Sequence, residues 1–216
     1  MATAGPAATG RLLGVAGGAG LALSAIALAA APAVLPPSYR WVAHTTSEAA
    51  GQGVPGAWLA RSGFVLFALA VVLVTVRCRR RWSRWGAALH GTFALGMAAT
   101  AAFPARSWEA DAAYDLTVDL VHSVAATALG FAFAFGVAVV GWRVWASQRR
   151  WRWLDVTAVT ASIVLPLGMV AAPAMAGALQ RTMFLVAYLW YARESLGDPS
   201  LPAAAGPSSD APTVWG

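Results

Sequence analysis

The sequence contains no lysine: all 15 of its basic residues are arginine, set against nine acidic ones for a net charge of +6. It has a single cysteine, Cys78, and only 11% of its 216 residues are charged, against roughly 25% in soluble domains. One cysteine excludes an intrachain disulfide and a cysteine-rich metal site. The scarcity of charge, together with 59% apolar residues and a mean hydropathy of +0.62, excludes both disorder and an ordinary soluble fold. Catalytic motifs are missing as well. There is no His-x-x-Glu-His or His-Glu-x-x-His pair for zinc, no glycine-rich phosphate loop and no Gly-x-Ser-x-Gly elbow. No inverted repeat or pair of broken helices marks a secondary transporter. Ser47 and Ser123 follow His44 and His122 closely, but adjacency in sequence is not triad geometry.

What the chain does have is apolar runs of about 20 residues, the length that crosses a hydrocarbon core of about 30 Å at 1.5 Å per residue. The pattern predicts an all-α, polytopic transmembrane bundle of six helices, with spans at about 12–33, 58–76, 85–103, 116–145, 154–172 and 174–192. Residues 1–11 form a short start and 194–216 a flexible tail rich in Pro, Ser and Ala. The first run is too long for a signal-peptide core of 7–15 residues, which favours a retained helix. Its Gly14 and Gly18 form a small-xxx-small pair of the kind that packs helices, within one chain or between copies in a homo-oligomer. The fourth segment is long enough to require tilt, and Pro166 is expected to loosen the fifth.

Arginine placement sets the expected orientation, because short basic loops stay inside. Arg77, Arg79, Arg80, Arg81 and Arg84 join spans two and three, and Arg143, Arg149, Arg150 and Arg152 join spans four and five. With Arg11 and Arg193, eleven arginines fall inside against four outside. Both termini are therefore expected to be cytoplasmic. Trp82, Trp85, Trp142, Trp145, Trp151, Trp153, Trp190 and Tyr191 cluster at the same ends, as an interfacial belt would. Arginine interleaved with tryptophan in this setting points to anionic lipid head groups and away from nucleic acid. Cys78, among arginines, has the setting of a reactive or palmitoylated thiol, although a bystander in a basic loop is the plainer reading.

Chemistry is sought where polar groups sit at membrane depth, since a charge there is costly and needs a partner. The first outer loop, 34–57, carries Tyr39, Arg40, Trp41, His44, Ser47, Glu48 and Gln52 and leads to Arg61 inside span two. Asp111, Asp115, Asp119 and His122 fall at helical spacing, as one stripe suited to proton relay or to half a metal site. The alternative is that Asp111 and Asp115 are solvated groups at a helix N-terminus. Gln180 and Arg181 lie on span six, where Arg181 is expected about 10 Å deep. It requires a counter-charge, for which Asp119 and Glu48 are the candidates. His90, on span three near its arginine-rich end, reads as a helix-to-helix hydrogen bond.

The stretch His44-Thr-Thr-Ser47-Glu48, followed by Gly56-Ala-Trp-Leu-Ala-Arg61-Ser-Gly63-Phe64, resembles the small bacterial membrane proteins grouped as domain-of-unknown-function family 998. Phe103-Pro104, His122 and the Gln180-Arg181 pair are similar to that family too, and the likeness covers about residues 10–193. It implies a six-span bundle in a bacterial cytoplasmic membrane and no settled activity or cofactor.

Three functions remain open from the residues. An outward-facing polar pocket would bind an anionic or zwitterionic ligand or lipid head group through Arg61, Arg181 and Gln180, since guanidinium groups recognise carboxylate and phosphate bidentately. A membrane-embedded hydrolase or transferase would use His122 or His44 as base, with Asp119 or Glu48 as orienting acid. An accessory membrane protein would use its small-residue helix faces alone. No metal site is specified.

Overall fold

A computed structural model describes residues 6–197 of the chain. Among the described residues there is no strand. The order is α1 (Pro6–Ala30), a 3-10 turn (Ala31–Val34), the one-turn α2 (Thr46–Ala49), α3 (Ala57–Ala102), α4 (Leu116–Gln148), α5 (Trp153–Ala171), a second 3-10 turn (Pro173–Met175) and α6 (Ala176–Leu196). Four of these segments are long and apolar enough to cross a membrane: α1 with its 3-10 extension, α3, α4 and α5. α6 is not among them, because Gln180, Arg181, Arg193 and Glu194 interrupt its apolar residues.

The expected loop between spans two and three is absent. Arginine is a good helix former, and the helix runs through Arg77, Arg79, Arg80 and Arg81, making α3 46 residues long. Straight, it would measure about 70 Å, more than twice the hydrocarbon thickness. It turns back at one residue, Ser83, whose φ of 70° and ψ of 168° lie in a region that is essentially glycine's own. The six expected apolar segments thus correspond to six helical limbs, with α3 counted as two. Two further bounds move. α1 begins at Pro6, within the predicted start, and α6 continues through Glu194 and Ser195, both buried, within the predicted tail. The rest of that tail lies outside the described residues.

α1 packs between the first limb of α3 and α6, the second limb of α3 packs on α4, and α5 bridges α4 and α6. On the first limb, Ala60, Phe64, Phe67, Val71, Val74 and Cys78 are all buried, a three-four spacing that makes one continuous inward face. Phe67 is central, with Phe93 at 5.4 Å and Tyr188 at 4.4 Å between ring centroids. The glycines of α1 serve this packing: a side chain on Gly14 would meet Ser195 and Arg77, and one on Gly17 or Gly20 would meet α3. The small-residue face is therefore occupied within the chain. Outward, Leu69, Leu95, Leu120, Phe131, Ile163 and Val170 are all more than half exposed. An apolar surface this broad belongs to a multi-pass membrane protein, not to a water-soluble monomer.

The strain at Ser83 is testable. Glycine removes the steric conflict, so Ser83→Gly is expected to raise stability by about 1 kcal/mol, within the cost of such a conformation. Ser83→Val is expected to lower it. Thermal unfolding of the detergent-solubilised protein checks both.

Candidate functional site

The first loop folds back over the start of α6. The amides of Gly177 and Ala178 donate to the carbonyls of Ala43 and Val42 at 3.2 and 3.0 Å, which satisfies part of the first helical turn. A Cβ on Gly177 would collide with the carbonyl oxygens of Trp41 and His44, so glycine is what permits this approach. Gln180 completes the fastening: its Oε1 accepts from the Thr46 amide at 2.7 Å and from the Thr46 hydroxyl. The loop is further tied to the 103–115 connection, where Gln52 donates to the carbonyls of Pro104 and Asp115 at 3.0 and 3.1 Å.

Arg181 lies beneath this cover, half-buried. Its Nη1 donates to the carbonyls of Trp41, His44 and Gly177 at 2.6, 3.0 and 2.9 Å, and its Nη2 to the Tyr39 hydroxyl. The Tyr39 and Trp41 rings stand 5.9 and 5.8 Å from Cζ, within cation–π range. Among the described residues no carboxylate oxygen lies within 4.0 Å of the guanidinium. The expected ion pair with Asp119 or Glu48 does not form, because both acids are engaged elsewhere. Asp119 Oδ1 accepts from the Arg106 amide at 2.8 Å. Glu48 Oε2 accepts from the amide and hydroxyl of Thr45 at 2.6 and 2.8 Å, in a capping box that starts α2.

The remaining expected residues do not converge there. Arg61 spends Nε and Nη2 on the carbonyls of Ala50 and Gly51 at 2.8 and 2.7 Å, and it lines a separate open groove with Trp58 and Ser62. The predicted acidic stripe also shortens. Asp115 is the N-cap of α4, accepting from Thr117 and Val118 at 2.8 and 3.1 Å, and Asp111 precedes the helix. His122 Nδ1 donates to the Phe103 carbonyl at 2.9 Å, leaving Nε2 buried without a partner. His44 Nδ1 accepts from the Arg40 amide at 3.0 Å, and its ring stacks on Trp108 at 5.5 Å. Among the described residues no three His, Cys, Asp or Glu side chains are grouped to hold a metal.

A second polar centre, missed in the sequence, occupies the arginine-rich end. Asp155 and Glu194 have side chains 2% exposed. Glu194 accepts from Arg81, from Trp82 Nε1 at 2.9 Å and from Arg152 at 3.1 Å. Asp155 accepts twice from Arg152 and once from Trp190 Nε1 at 2.9 Å. Arg193 adds contacts of 3.6 Å to Asp155 and 3.5 Å to Glu194. Arg77 ties in α1, donating to the carbonyls of Gly10 and Glu194, both at 3.0 Å. His90 makes the expected interhelical bond, to the Tyr191 hydroxyl at 2.8 Å, and stacks on Trp190. Trp82, Trp190 and Tyr191 are therefore interior, not part of an interfacial belt, whereas Trp85, Trp142 and Trp153 are more than half exposed. Cys78 is buried too, with Sγ 3.5 Å from the Glu194 carbonyl, a poor position for acylation. The available signal was an acid beside arginine in otherwise apolar helices, at Arg152-x-x-Asp155 and Arg193-Glu194.

Two measurements follow from this geometry. Glu194→Ala strands guanidinium and indole donors, so it is expected to cost about 3 kcal/mol, and Glu194→Gln less, in thermal or denaturant unfolding in detergent. At the other end, burial lowers the pKa of His44 from 6.5, with Glu48 opposing and Arg40 assisting. A depressed imidazole pKa stabilises the folded loop above the unfolded value, and that contribution is lost as pH falls through the folded one. Histidine-labelled NMR is expected to show His44 titrating below 6.5, and lower still in Glu48→Gln; titration above 6.5 contradicts this.

Comparison with known proteins adds a family. No curated protein and no solved structure matches the chain. The family model described as "Protein of unknown function (DUF998)" matches residues 16–193, which spans the bundle from α1 through Arg193 on α6, and the chain belongs to that family.

Proposed function

We propose that this chain is a six-span protein of a bacterial cytoplasmic membrane, with both termini cytoplasmic, that binds an anionic or zwitterionic ligand at its outer face. The observation that carries the reading is the Arg181 guanidinium, half-buried and held only by neutral oxygens. Carbonyl dipoles satisfy donors but leave the positive charge uncompensated, and a charge in that position favours an anion. The Nε–H has no acceptor among the described residues, whereas Nη1 and Nη2 hold the loop. Nε–H is therefore the donor left to a carboxylate or phosphate oxygen, beside an Nη2 whose other contact is the neutral Tyr39 hydroxyl. Gln180 holds the loop that covers the site. Arg61 is set aside as a ligand residue because its own fork is filled by the Ala50 and Gly51 carbonyls.

The hydrolase or transferase reading has less support. Asp119 and Glu48 are both engaged by loop groups, so neither orients its neighbouring histidine. The accessory-protein reading is weakened by the glycines of α1, which pack against this chain's own helices.

Thermal shifts of the detergent-solubilised protein with inorganic phosphate, glycerol 3-phosphate and acetate test the proposal. At least one anion is expected to stabilise the protein, by about 2.7 kcal/mol at a hundredfold excess over its Kd. Arg181→Gln is expected to abolish the shift, and Arg61→Gln to preserve it. Equal shifts in the wild type and Arg181→Gln refute the reading.

A further inference from the structure

Arg181 also lines a groove between α1 and α6, about 210 Å³ in volume, with Ala25, Leu28, Ala29, Phe184, Leu185 and Tyr188. The groove has a polar mouth and an apolar body. Thr46 and Arg181 lie at the loop end. The walls toward the middle of the bundle are hydrocarbon and aromatic, running from Arg181 to Tyr188, about 10 Å along α6. The far end is closed by hydrogen bonds: the Tyr188 hydroxyl meets Ser24 Oγ at 2.6 Å, and Ser24 Oγ donates to the Gly63 carbonyl at 2.7 Å. Both lips are exposed and apolar, with Ile26 64% exposed on α1, and Leu185 56% and Leu189 49% on α6. The groove therefore opens sideways, along the surface that faces lipid.

A soluble anion would use only the mouth. Water in the body would find few partners, since Tyr188 and Ser24 are already paired. A ligand that satisfies both halves has one negative group for the unpartnered Nε–H of Arg181 and a hydrocarbon chain continuous with it. On the reading of Arg181 as an anion site, which this inference extends, we infer that the ligand is a membrane phospholipid: its phosphate on Arg181 and the upper part of one acyl chain between α1 and α6. Charge complementarity favours a lipid over a second protein helix, whose apolar face would leave the guanidinium unneutralised. Entry from the side requires no opening of the first loop.

Native mass spectrometry in detergent tests this with three probes. Dioleoyl phosphatidylglycerol carries both halves, dioleoylglycerol lacks the phosphate, and glycerol 3-phosphate lacks the chains. The wild type is expected to retain one phosphatidylglycerol at least tenfold more tightly than dioleoylglycerol. Ala25→Trp fills the groove one turn further from the loop than Ala29, and is expected to lose that retention while keeping the thermal shift with glycerol 3-phosphate. Leu120→Trp, on the exposed face of α4, is expected to change neither. Arg181→Lys, which keeps the charge but not the fork, is expected to weaken phosphatidylglycerol at least threefold if Arg181→Gln fails to fold. Two results overturn the inference and differ in what they leave standing. If Ala25→Trp binds phosphatidylglycerol as the wild type does, the lipid assignment fails and the anion site remains. If Arg181 variants bind both phosphate probes as the wild type does, the anion site fails with it.

Discussion

Two carboxylates that hydrocarbon would not tolerate alone govern how this bundle is held. Asp155 and Glu194 have side chains 2% exposed, and an unpaired charge in such surroundings costs several kcal/mol. Each is met by guanidinium groups and by an indole N–H, so that α5 and α6 are referenced to the arginine-rich turn of α3, and α1 joins through Arg77. Removing α3, α5 or α6 from this end would break at least one of these ion pairs. The lock also explains why two tryptophans sit inside: Trp82 and Trp190 each deliver one donor to a carboxylate while their ring faces pack on His90. An indole does both tasks with one rigid side chain.

The opposite end solves the inverse problem with different chemistry. There the half-buried cations Arg61 and Arg181 are held by main-chain carbonyls, with the Tyr39 hydroxyl added on Arg181, while the half-buried acids Glu48 and Asp119 are spent on loop groups. A carbonyl satisfies a donor without cancelling a formal charge. At Asp155 and Glu194 opposite charges meet directly, whereas the Arg181 guanidinium has no carboxylate within 4.0 Å among the described residues, so its charge is answered only by dipoles. Loop residues that look like catalytic candidates, Glu48 and His44, are used to shape the turn whose carbonyls reach Arg181.

Much of the helical content was legible from apolar run length alone, because backbone polar groups in hydrocarbon must be paired within a helix. The interhelical role of His90 was legible from a polar residue placed at depth. Other features were not. The partner of Arg181 was sought among acids, since sequence shows side chains and hides carbonyls, and it is carbonyls that bind it. A reversal between spans two and three was legible at residues 77–84, but not its narrowing to the single residue Ser83, as serine is not a residue expected with positive φ; the break is imposed by the packing of the two limbs of α3 on α1 and α4. Trp82, Trp190 and Tyr191 resembled an interfacial belt because a residue near a helix end can face either way, and periodicity in a mostly apolar helix does not say which. Asp155 and Glu194 were passed over because a short-range Arg partner makes an acid look like a solvated surface pair.

The uneven distribution of these contacts has a mechanical consequence. On α5 the buried residues are Leu154, Asp155 and Ala158, all in its first two turns; beyond them, and past Pro166, no residue of the helix is buried. α4 likewise buries His122 near its loop end and then little until Ala132. For α4 and α5, packing is dense toward the end where the charges pair and sparse toward the loops, so local opening of these two helices requires the least free energy at their loop ends. A ligand that enters there and adds contacts would shift this equilibrium without disturbing the arginine-rich lock. The groove between α1 and α6 opens at the same end of the bundle. The strongly paired end thus permits an open and adaptable one, because the global stability of the bundle does not depend on closing it.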